Sequence, residues 1–124
     1  MQIYLVIACD RLEDNQEKKL KNNLADIQAD LQSYVEANSE IAGVHLINEC
    51  DSEYCEDWQL GIRQTVKKKP QLKFPINLFN DLAKKYHIDC EVGILNEDAR
   101  EPVSYFGHEE GKGDSYMIAQ YLDL

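Results

Sequence analysis

Nine consecutive residues, Glu49-Cys50-Asp51-Ser52-Glu53-Tyr54-Cys55-Glu56-Asp57, hold five carboxylates and no basic side chain, and Trp58 follows directly. Carboxylates at that density beside aromatic rings can receive an arginine- and lysine-rich surface, with the rings as anchors. A second acidic segment, Gly107-His108-Glu109-Glu110-Gly111-Lys112-Gly113, lies shortly after Tyr105. The candidate partner-binding residues are therefore Glu49, Asp51, Glu53, Tyr54, Glu56, Asp57, Trp58, Tyr105, Glu109 and Glu110. The competing reading makes the first segment a solvated hairpin tip, with Trp58 in the core.

Other reactive side chains form weaker patterns. Cys50 and Cys55 have four residues between them, but zinc asks for four nitrogen or sulfur ligands, usually as two close pairs, and no second pair exists. Only the scattered Cys9, Cys90, His45, His87 and His108 remain to complete such a set. Cys9 ends an apolar run just before an expected helix N-terminus, where the helix dipole lowers a thiol pKa. That makes it the best nucleophile candidate, although Asp10 opposes the effect and a small buried residue is the plainer reading. The glycines around His108 lack the spacing of a phosphate-binding loop, and Glu109 and Glu110 would repel an anion. His108 beside two carboxylates has the groups for acid–base chemistry, but such neighbours are usually just solvated. No catalytic residue, metal or cofactor is assigned, and the reading leans away from an enzyme.

Charge narrows the partners. The 23 acidic residues outnumber the 13 basic ones, for a net charge of −10. Such a surface repels nucleic acid and anionic lipid and attracts cations, so neither nucleic acid nor membrane is an expected partner. Solubility alone also accounts for it. Lys67, Lys68, Lys69 and Lys73 form the one basic cluster, without interleaved aromatics, and read as lysines that end a strand and protect a sheet edge. The apolar run Met1–Asp10 has neither a basic n-region nor a cleavage site, and no stretch reaches the ~20 apolar residues of a membrane span. A cytoplasmic protein with reduced thiols is expected.

The elements that must position these groups follow from periodicity. A length of 124 residues with 44% apolar and 29% charged side chains suits a single globular α/β domain, 1–124. Ile3–Cys9 is apolar on both pleat faces, as in a central strand. Asp10 with Glu13 resembles a capping box, and Leu20, Leu24, Ile27, Leu31, Tyr34 and Val35 mark one helix face ending near Asn38. Strands are expected at Gly43–Glu49, Trp58–Val66 and Ile88–Ile94, with a helix starting at Pro75. A turn at 96–100, a short strand Val103–Phe106, a mobile glycine loop and a last helix Asp114–Leu122 complete the chain.

The order β-α-β-β-α-β predicts an α+β, ferredoxin-like antiparallel sheet with helices on one face, plus an extra C-terminal strand and short helix. By size and charge alone, the leading functional expectation is an acidic protein-binding inhibitor. Immunity proteins, which cover the basic active site of a bacterial nuclease toxin, are the model, and the partner would be a basic protein such as a toxin domain. The alternative is a small-molecule-binding or catalytic ferredoxin-like domain, with Cys9, His45, Arg63 or Glu91 lining a pocket on the open sheet face. A homodimer pairing through its sheet is compatible with either.

Overall fold

Strong alternation and apolar runs become five strands, and the amphipathic stretches become helices. In the computed structural model, which describes residues 1–41, 43–97 and 99–124, the strands are β1 (Gln2–Ile7), β2 (His45–Glu49), β3 (Gln59–Thr65), β4 (Asp89–Asn96) and β5 (Ala99–Gly107). Among the described residues four α-helices accompany them: α1 (Asp14–Asn22), α2 (Leu24–Ala37), α3 (Lys69–Tyr86) and α4 (Ser115–Tyr121). The strands form one antiparallel sheet in the order β2-β3-β1-β4-β5, a mixed α+β architecture.

One face of the sheet and the helices share a single core. Ile3, Leu5 and Ile7 of β1, Leu60 and Ile62 of β3, and Cys90 and Val92 of β4 meet Ile27 and Leu31 of α2 and Ile76 and Phe79 of α3. The α4 residues Ile118 and Ala119 join the same cluster. Removing these apolar surfaces from water supplies the main driving force for the fold. Gln64 is the one fully buried polar side chain among the described residues, and its Oε1 accepts a 2.8 Å bond from the Tyr34 hydroxyl.

The opposite face is a lattice of aligned residues. His45, Arg63, Tyr4, Gly93 and Pro102 lie in one row across the five strands. Ile47, Gly61, Val6, Glu91 and Tyr105 form the next. A Cβ on Gly93 would stand 2.7 Å from the Tyr4 ring, so the ring rests on bare backbone.

Several expected boundaries shift. Asp10 does not cap a helix; Cys9–Arg11 is a 3₁₀ turn, and α1 starts at Asp14 after Glu13, whose N–H donates to the Gln16 side chain at 2.9 Å. The chain leaves β1 in the plane of the sheet and must climb to the helix layer, roughly 10 Å away, before a helix can begin. The long helix is also split at Asn23, whose side-chain amide donates to the Lys19 carbonyl at 2.9 Å, a local bond that competes with the helical ladder. Likewise α3 begins at Lys69 rather than Pro75. Gln71 Oε1 accepts from the Lys67 and Lys68 N–H groups, and Pro75 sits buried within the helix.

Lys67–Lys69 do not guard an edge either, because β3 lies between β2 and β1. The last strand is nine residues rather than the short Val103–Phe106, and Pro102 is tolerated because β5 is an edge strand. Asp98, in the expected 96–100 turn, and Ala42 lie outside the described residues. No helix among the described residues is long and apolar enough to cross a membrane.

Candidate functional site

Strand direction decides which loops meet. The C-terminal ends of β1, β2 and β5 and the N-terminal ends of β3 and β4 fall at the same end of the sheet, as the pairs Glu49↔Gln59, Ile7↔Cys90 and Asp89↔Gly107 record. The connections 8–13, 50–58, 87–88 and 107–113 therefore all emerge there. Glu49, Asp51, Glu53, Glu56 and Asp57 stand over the β2–β3 side, and Glu109 and Glu110 over the β5 side. Four strand spacings, roughly 19 Å, separate the two groups. Asp10 and Asp89, which the sequence reading left out, fill the interval.

The two acidic segments are held differently. The second is pinned. Asp89 Oδ1 accepts from the N–H groups of Glu109 (3.0 Å) and Glu110 (3.2 Å), Gly107 N–H donates to the Gly111 carbonyl (2.7 Å), and the Asn80 side chain makes two bonds with the Gly113 backbone. The expected mobile glycine loop is thus tied to β4 and α3 along its length. Glu110 is neutralised by Arg11 at 2.6 Å, so it offers less charge to a partner than its sequence position suggests.

The first segment is folded around Trp58. That ring is only 6% exposed and donates Nε1–H to the Ser52 carbonyl at 2.6 Å, so Trp58 supports the loop from the core and is not a surface anchor. Tyr54, 57% exposed, is the aromatic that faces solvent. None of the five carboxylates enters an ion pair among the described residues; Asp57 accepts from Ser52 Oγ at 3.1 Å. Tyr105 belongs to the open sheet face instead, with its hydroxyl on Glu91 at 2.9 Å and the Arg11 guanidinium over its ring.

Two groupings had no signature in the sequence. Cys9, Cys55 and Cys90 share the core near this end, with Cys50 packed against it. Burial pushes the Cys9 thiol up to about 12 and Cys50 to about 11, raises Cys55, and raises the fully buried Cys90 well above the usual thiol value. Cys9 is therefore a poor nucleophile: the turn after β1 is 3₁₀ and short, and desolvation outweighs any dipole. His87 and His108 stack with ring centroids 4.6 Å apart. Lys19 Nζ lies 3.3 Å from His87 Nδ1, and its charge, followed by desolvation and His108, lowers the His87 pKa. Their 21-residue separation gives no hint of the stack, which follows from the β4–β5 hairpin returning to the end of α3. Among the described residues no group of three or more histidine, cysteine or carboxylate side chains is placed to hold a metal ion.

Comparison of the chain with protein-family models, with curated proteins and with solved structures returns no match.

Proposed function

We propose that this chain is an acidic protein-binding inhibitor that uses the loop end of its sheet to cover a cationic site on another protein, in the manner of an immunity protein neutralising a nuclease toxin. The observation that carries the reading is the convergence of residues 49–57 and 107–110 on one end of the sheet, with Asp10 and Asp89 between them. A surface about 20 Å across would form the central part of one side of an ordinary protein–protein interface, which covers roughly 800 Å². Tyr54 stands exposed among carboxylates that form no ion pair among the described residues, the arrangement expected of an anchor ringed by steering charge. Beneath it, the strand order supports a ferredoxin-like reading of the first six elements, with β1 flanked by β3 and β4, β2 outside β3, and β5 added beyond β4.

Co-expression with the product of the neighbouring reading frame tests the proposal. A basic nuclease so encoded should be inhibited, and the association rate should drop by an order of magnitude or more from low to high salt. Substituting Glu53→Lys, Glu56→Lys and Asp57→Lys together should remove inhibition without unfolding the chain. A basic partner bound equally well by that triple variant, or at a salt-independent rate, would overturn the reading.

A further inference from the structure

The chain has three arginines, and all three side chains reach the sheet face that the helices leave open. They come from separate segments: Arg11 after β1, Arg63 on β3 and Arg100 on β5. The ten lysines lie on helices and connections, and none is on a strand. Arg11 stacks on Tyr105 and pairs with Glu110. Arg100 lies over the Tyr4 ring, 5.3 Å from its centroid, and donates to Gln59 Oε1. Arg63 is half-buried in the row beside Tyr4.

In a chain with so many carboxylates, guanidinium groups would be expected to find one. The ion pairs among the described residues are Arg11–Glu110, Lys21–Glu17 and Lys85–Asp30, so neither Arg63 nor Arg100 is matched there. The central carboxylate of the face, Glu91, is engaged elsewhere, accepting from Tyr4 at 2.6 Å and Tyr105 at 2.9 Å. Arg63 and Arg100 together line a groove of about 450 Å³ with Ile47, Leu95, Asn48 and Glu49. That volume is in the range of small-ligand sites.

We propose that this groove binds a small organic anion, a carboxylate or phosphate monoester with an apolar body, held between the Arg63 and Arg100 guanidinium groups with its body against Ile47 and Leu95. Guanidinium presents a planar fork that matches either oxyanion, and its stacking on Tyr4 holds the Arg100 fork in place before the ligand arrives. Glu49, which also lines the groove, disfavours ligands whose charge extends past the two forks. Glu49 is common to the groove and the acidic segment; Asp51, Glu53, Glu56 and Asp57 do not line the groove, and the charge each surface would meet has the opposite sign.

The test is an NMR titration of ¹⁵N-labelled protein at constant ionic strength with phenyl phosphate, phenylacetate and neutral benzyl alcohol. Either anion should produce saturable shifts of the Arg63 and Arg100 Nε–H signals and of the Ile47 and Leu95 amides, and benzyl alcohol should not. Tighter phenyl phosphate identifies a phosphate site, and tighter phenylacetate a carboxylate site. Arg63→Gln and Arg100→Gln should each weaken binding about tenfold or more, and Arg100→Lys, which keeps charge but loses the fork, should fall between. Unchanged melting temperatures would establish that the variants fold. Non-saturable shifts, shifts centred on the α3 lysines, equal binding of benzyl alcohol, or a face closed by a second copy in sedimentation would each overturn the proposal.

Discussion

The loop end and the open face of the same sheet hold their charges by opposite means. At the loop end the carboxylates of residues 51–57 project from a 3₁₀-containing connection with no ion pair among the described residues, so water screens them and a partner meets them by diffusion. On the open face Arg63 and Arg100 sit on strands and are set by cross-strand register, and Arg11 and Arg100 lie over tyrosine rings. The first arrangement suits long-range steering of a large cationic partner. The second suits short-range recognition of a small anion, because the donors are fixed before it binds. Arg11 joins the regions, stacking on Tyr105 of the face while neutralising Glu110 of the end.

The sharpest way to break the comparison is to remove what each region stands on. Trp58→Ala should cost about 3–5 kcal/mol in urea unfolding, since a buried ring is lost from under the acidic loop. A loss below ~1 kcal/mol would mean the loop is not organised by that ring. On the other region, Tyr4→Phe should cost about 1.5–3 kcal/mol, the range for a hydrogen bond to a charged group, because its hydroxyl donates to Glu91. A neutral outcome there would show that Glu91 finds an equal partner in water.

Titration probes the core beneath the loop end and the loop end itself more gently. Cys9, at about 12, and Tyr34, also at about 12, keep their protons in the fold well past the values of 9.0 and 10.0 expected of the unfolded chain. Burial leads both shifts. Their contribution is complete below pH 9 and is lost as the pH rises through the folded values, because the unfolded chain releases those protons first. Unfolding midpoints should hold from pH 8 to 9 and fall from pH 9 to 11. The acid limb belongs to the loop end: His87, lowered mainly by Lys19, contributes above the ordinary histidine value and loses that contribution as the pH drops below it. Its solvent exposure keeps the effect small, and a Lys19→Met variant should reduce it, leaving the part due to desolvation and His108. Smallest of all is Tyr54→Ala, which should change stability by less than about 0.5 kcal/mol while weakening any complex at the loop end.

Local pattern carried much of the architecture. The apolar β1, the alternation in β3 and β4, and the helical spacing from Leu20 to Val35 all follow from which side chains must leave water, and that preference is written residue by residue. Boundaries were legible only where a local group decides them, as Asp114 does by accepting the Tyr116 N–H at 2.9 Å to start α4. The boundary was not legible at Asp10, where the climb from sheet to helix layer depends on distant packing, and it was missed at Pro75 although a local group, Gln71, caps the helix from Lys69. The acidic segments could be seen one at a time, but that they share an end of the sheet is a property of strand order. The buried thiols, the His87–His108 stack and the gathering of Arg11, Arg63 and Arg100 likewise come from residues tens of positions apart. Hydrophobic burial and hydrogen-bonded register bring them together, and neither leaves a mark in any short window of the chain.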